Sequence, residues 1–245
     1  MAKIDVLAED VSLSEPTLVE GLPGVGLVGK IAADHLIESL DLFHYANLYC
    51  DGLPRAVTYR PESHEVSTPV RLYVDSDGSL LVLQSDVPVS PGAAIEVANC
   101  LQPWFDEKAV DAIYLSGLPA EKDDSPPSMY GVGVGDSAEK LAAIGVDTPA
   151  EMGLISGPTG ALFAHSLEHD QAAIGLVVES DPQFPDPEAA RVILTRAIEP
   201  LLDVEIETET LVDRAEEIRR AREQLAARMQ QAEEESTRAR PLGYQ

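Results

Sequence analysis

The sequence has only two cysteines, Cys50 and Cys100, and a single tryptophan. Two cysteines are too few for a disulfide framework or a cysteine-based zinc site, so the expectation is a reduced intracellular pair. Aromatic residues make up 5% of the 245 positions, so a core has to come from Val, Ile, Leu and Ala, which suits a sheet covered by helices. No apolar run approaches the roughly 18 residues of a transmembrane helix, and no basic stretch leads into an apolar one at the start. Neither a membrane span nor a secretory signal is expected, which places the chain in the cytoplasm. Positive charge is also scarce: 17 basic residues face 43 acidic ones, for a formal net charge of −26. A phosphate backbone requires clustered Lys and Arg, so nucleic acid is excluded as a partner. The acidic excess is spread along the chain and lysine is rare, a pattern that fits a salt-rich, halophilic cytoplasm where a short Debye length screens self-repulsion. The charge describes habitat, not function.

What is present is enough for a globular domain, with 44% hydrophobic residues in a chain of this length. Strand-like and helix-like runs alternate. Thr17 to Glu20, Phe43 to Cys50, Val70 to Val74, Leu80 to Gln84, Ala112 to Ser116, Gly153 to Ser156 and Ala173 to Glu179 read as strands. Asp75 to Gly78 reads as the turn of a hairpin. Helices are predicted over Gly26–Leu40, Pro91–Glu107, Thr159–His169, Pro187–Leu202 and 207–235, and Asp123 to Ser128 reads as a loop. Such alternation implies an α/β fold with a largely parallel sheet and helices on both faces. We therefore divide the chain into an α/β core over 1–206, a C-terminal helix over 207–235 and a polar, flexible tail over 236–245. The final helix spaces Leu211, Ile218 and Leu225 by sevens, a thin apolar seam that calls for a partner and points to a homo-oligomer or to packing against its own domain.

Three motifs carry candidate chemistry. Gly24, Gly26 and Gly29 satisfy the dinucleotide fingerprint, and Gly24, Gly29 and Lys30 satisfy most of a phosphate-binding loop. The latter needs Ser or Thr after its lysine to hold magnesium, and Ile31 stands there. Asp51 has the spacing of a ribose-binding acid but belongs to a Gly-Leu-Pro turn. The loop is therefore read as structural glycines that let a helix approach its strand, with a ligand loop as the alternative. His165-Ser-Leu-Glu-His169 matches a zinc-peptidase spacing on a predicted helix but lacks a third ligand, so no metal is assigned. Ser116 and Ser156 each precede a glycine, yet neither lies in a nucleophile-elbow motif, and no catalytic residue is assigned.

Several segments in order, VEGLPGVGLVGKIAADHLI, YCDGLPR, YLSGLP, ISGPTGALFAHSLEHDQAAIGLVVES and PDPEAARVIL, resemble the archaeal and bacterial relatives of the proteasome assembly chaperones, over most of residues 17–225. The resemblance implies a sheet like that of the purine nucleoside phosphorylases, no cofactor, self-assembly, and ATP-independent chaperoning of the α-subunits of the proteasome core particle. It also implies a docking tail built as hydrophobic-Tyr-any. Here the chain reads Leu242-Gly243-Tyr244-Gln245, with the tyrosine in place and Gly243 departing from the pattern. The alternative that the resemblance leaves is an enzyme of the ATP-grasp-like or nucleotide-binding type using the Gly24 to Lys30 loop.

Overall fold

The computed structural model of the chain describes residues 3–59, 64–121, 126–211 and 213. In chain order the elements are β1 (Lys3–Val6), β2 (Thr17–Gly21), a 3-10 turn (Val25–Leu27), α1 (Val28–Ser39), β3 (Phe43–Tyr49), β4 (Thr58–Tyr59) and β5 (Val66–Ser67). Then follow β6 (Val70–Val74), β7 (Leu80–Ser85), α2 (Ala94–Lys108), β8 (Asp111–Pro119), β9 (Met129–Val134) and α3 (Ser137–Ala143). The chain continues with α4 (Gly157–Glu168), β10 (Ala173–Ser180), α5 (Pro187–Ile193), a π turn (Leu194–Ile198) and α6 (Glu199–Leu202).

Eight strands form one sheet in the order β1-β3-β6-β7-β2-β8-β10-β9, and β4 and β5 form a separate two-stranded ribbon. The central four, β7, β2, β8 and β10, run parallel, and the flanking pairs are antiparallel. The parallel strands read as near-continuous apolar runs because both of their faces are covered. One face packs α1 and the α5 to α6 run against Val19, Val82, Ile113, Leu176 and Val178. The other packs α2 and α4 against Leu18, Leu81, Leu83, Ala112 and Tyr114. The Asp75 to Gly78 turn joins β6 to β7 as expected: Asp75 Oδ1 accepts from the Ser79 and Leu80 amides at 2.8 and 3.0 Å.

Several sequence expectations need correction. The stretch 153–156 is not a strand, because the position beside β10 is taken by β9, paired from Met129↔Val178 to Val134↔Ala173. Cys50 and Cys100 are not a reduced pair: they form a disulfide with Cα atoms 5.8 Å apart. Cys50 follows β3 directly and Cys100 lies on α2, and folding buries both in one place. The helix expected over Pro187–Leu202 is broken at Leu194–Ile198 by the π turn. Pro200 lacks the amide that would close an ordinary turn, and the helix widens just before it. Leu211, the first residue of the proposed seam, is buried within the domain core. Ile218, Leu225, most of the predicted 207–235 helix and the 236–245 tail lie outside the described residues.

Candidate functional site

In an open α/β sheet the crevice outside the carboxyl ends of the parallel strands is the usual ligand position. Here that region opens into a groove of about 1070 Å³. Its floor is Ser116 and Leu118 of β8, Val177 and Glu179 of β10 and Val132 of β9, and Phe163 and Leu167 of α4 form one side. Pro23, Gly24 and Val25 close one end, and the irregular segment 149–156 forms the outer wall. That wall is unusual: Met152 is fully exposed, Leu154 is 88% exposed, and Leu167 beside it is 64% exposed. Among the described lining residues the charged groups are Glu151 and Glu179, and none is Lys, Arg or His.

Behind the groove lies Glu20, 0% exposed at the carboxyl end of β2. Strand alternation turns it to the same face as Leu18, and the register sets it between Leu83 and Tyr114. Its Oε1 accepts from the Leu22 amide at 2.9 Å, and its Oε2 from the Leu115 amide at 3.4 Å. The Thr159 hydroxyl donates toward both oxygens at 3.2 Å. Burial pushes this carboxyl up to about 7, against the hydrogen bonds from Leu22, Leu115 and Thr159. Next to it the Tyr114 hydroxyl, 3.0 Å from Ser166 Oγ, is also pushed up by burial. Thr159 opens α4 and lines the groove, so Glu20 anchors the end of the exposed 149–156 wall. Glu20 was absent from the candidate residues read from sequence. The signal it leaves there is one acid in an otherwise apolar parallel strand, Thr17-Leu-Val-Glu-Gly21.

The glycine loop is tied into the fold. Gly26 sits at φ +59°, and a Cβ there would lie 1.8 Å from Ser180 Oγ. The Gly26 carbonyl accepts from the Asp186 amide at 2.8 Å, and Asp186 Oδ1 in turn caps α5 through the Ala189 amide at 3.1 Å. Gly29 faces the Leu22 carbonyl, 3.1 Å from where its Cβ would be, and Gly24 faces open space at the groove end. Lys30 lies outside the groove lining. Its Nζ is 2.6 Å from Asp34 and 3.5 Å from Asp86. Both belong to a polar cluster with Gln84 and the buried Arg71, whose Nη2 donates to Gln84 Oε1 at 2.9 Å and Asp86 Oδ2 at 2.5 Å. Burial raises the Asp86 carboxyl, but Arg71 and Lys30 outweigh it and hold the group below its usual range. Arg71 Nη1 also donates to Thr58, Ser67 and Thr68, which pins the β4–β5 ribbon to the sheet.

The remaining sequence candidates scatter. The His165 and His169 rings stack with centroids 4.0 Å apart, and His169 Nδ1 lies 2.9 Å from the His165 carbonyl. Among the described residues no group of three His, Cys, Asp or Glu side chains has a metal-holding arrangement. Asp51 is on an exposed turn, Ser116 lines the groove, and Ser156 is the N-cap of α4 without a capping side-chain bond. Leu242, Gly243, Tyr244 and Gln245 lie outside the described residues. No helix among the described residues is long and apolar enough to cross a membrane.

The fold and groove together define a doubly covered α/β sheet protein whose parallel strands end in an apolar, acid-flanked cleft. Within that class the chain belongs to the PAC2 family, whose model matches residues 18–226. An uncharacterised protein of Methanocaldococcus jannaschii is 26% identical over 217 residues, covering 88% of this chain and 87% of that one. Among solved structures, Pyrococcus furiosus PbaA, an archaeal homolog of proteasome-assembly chaperone, superposes with a TM-score of 0.79 at 22% identity, over 94% of this chain and 100% of that one. Pyrococcus furiosus PbaB, an archaeal proteasome activator, superposes with a TM-score of 0.76 at 25% identity, over 92% and 98% of the two chains.

Proposed function

We propose that the chain is an ATP-independent chaperone or adaptor that binds α-subunits of the proteasome core particle and assists their assembly. The observation that carries this reading is the PAC2 match across 18–226, joined by the likeness to PbaB along nearly the whole chain. The groove adds support of a different kind. Nucleotide phosphates entering it would meet Glu151 and Glu179 and no cation among the described lining residues. The loop lysine is engaged elsewhere by Asp34 and Asp86.

In this reading the tail Leu242, Gly243, Tyr244 and Gln245 is the element that docks between α-subunits, by burying Tyr244 in a pocket of the ring. Gly243 lacks the side chain that precedes the tyrosine in the family pattern, which forfeits about 1 to 2 kcal/mol of apolar burial. Docking is therefore weak. Co-purification with the α-ring tests it: deleting 243–245 abolishes association and Gly243→Leu strengthens it. Equal recovery of all three forms would remove the tail from this role.

A further inference from the structure

The groove and the tail have complementary chemistry. The groove presents Phe163, Leu167, Val177 and Leu154 as apolar surface, with Glu151 and Glu179 as its charged lining among the described residues. Large side chains left in water on such a surface mark a binding site. In a chain of net charge −26, the ten residues 236–245 contain Arg238 and Arg240 and no acidic side chain. Arg238, Arg240, Leu242 and Tyr244 fall on every second position. In an extended backbone, which the residue before Pro241 favours, these four point to one side over about 20 Å.

We propose that residues 238–244 of the chain lie extended in its own groove, with Leu242 and Tyr244 against the Phe163, Leu167 and Val177 surface and the arginines near Glu179 and Glu151. The occupant is the chain's own tail and not a neighbour's, on grounds of tethering. Arg238 lies 27 positions beyond Leu211, the last core residue among those described. Even at helical rise these span about 40 Å, enough to cross a domain of this size. A tether of that length holds the tail near the groove at an effective concentration of about a millimolar, which an untethered copy does not match. Groove and ring would then compete for one tail. Groove occupancy itself does not depend on the proteasome reading.

The test uses the full chain with Tyr244 replaced by the photocrosslinker p-benzoylphenylalanine, prepared as a mixture of light and nitrogen-15-labelled copies. Irradiation is expected to give crosslinks within single copies, mapping to 149–167 and 177–179. The double variant Leu154→Glu, Leu167→Glu changes two exposed side chains, so an unchanged circular dichroism spectrum is expected of it. It is expected to reduce the crosslink yield about tenfold, equivalent to about 1.4 kcal/mol of lost docking. Crosslinks that fall elsewhere, join only different copies, join only another protein, or persist undiminished in the double variant would each overturn the proposal. Binding of α-subunits is read separately on chains that keep Tyr244, with and without the Leu154→Glu, Leu167→Glu pair: release of the tail by that pair raises it severalfold. Its absence in every variant would count against the proteasome reading while leaving the crosslink result intact.

Discussion

Glu20 makes the protein's stability depend on pH in a way that can be worked from the structure. The carboxyl is fully buried, and burial holds its folded-state value near 7 against an ordinary 4.5. The folded state therefore takes up a proton more readily than the unfolded one. Glu20's contribution is fully favourable below about 4.5 and is lost as pH rises through 7. At about 1.36 kcal/mol per pH unit the loss amounts to roughly 3 kcal/mol by pH 9. Glu20→Gln is neutral throughout and keeps one carbonyl oxygen for the Leu22 amide. It sacrifices the longer Leu115 contact at 3.4 Å, at a cost of about 1 kcal/mol that does not vary with pH. Denaturant unfolding of both proteins at pH 5 and pH 9 in the same salt isolates the effect. The stability difference between them is expected to move by about 3 kcal/mol in favour of the variant across that range. A difference constant to within about 0.5 kcal/mol would show that Glu20 is not held as a desolvated carboxyl.

Gly26→Val forces a β-branched residue to φ +59° and against Ser180 Oγ, so it is expected to destabilise by about 3 kcal/mol or more, read as a fall in denaturation midpoint. Lys30→Ala removes the mostly buried ion pairs to Asp34 and Asp86 and should cost about 1.5 to 3 kcal/mol of stability, with α-subunit binding unchanged. Loss of a measured nucleotide affinity in that variant would revive the ligand-loop reading. The Cys50–Cys100 bond closes a separation of 50 residues. Replacing both cysteines by serine should lower unfolding free energy by about 2 to 4 kcal/mol, and an unchanged midpoint on reduction would argue that the bond does not form in solution. Light scattering in high salt should report a homo-oligomer, and Ile218→Glu with Leu225→Glu should lower its mass. An unchanged mass excludes that seam as the assembly element.

The central strands and the helices between them were legible because each combines one uninterrupted apolar period with a clear turn at its end. β2, β6, β7, β8 and β10 all fall within a few residues of their expected bounds. β9 was missed because its alternation is diluted by Gly131 and Gly133, and its Met129 start adjoins a proline-rich loop. α3 spans seven residues, too few for a helical period to stand out. The segment 153–156 differs for the opposite reason: its apolar residues imply burial, yet Leu154 faces water, as does Met152 just before it. Such a conflict between composition and exposure is itself a sign of an interaction surface. Glu20 could be named only once the register placed Leu83 and Tyr114 on either side of it. The disulfide depended on α2 crossing the end of β3, which no local spacing announces.

The most direct test of the account is to mix the purified chain with purified, unassembled α-subunits of its cognate proteasome, without nucleotide, and follow the species by native mass spectrometry. A discrete complex, together with faster or fuller α-ring formation than the α-subunits achieve alone, is the predicted result. Absence of any complex at every salt concentration tried, or a complex that forms only when ATP is added, would contradict an ATP-independent assembly role.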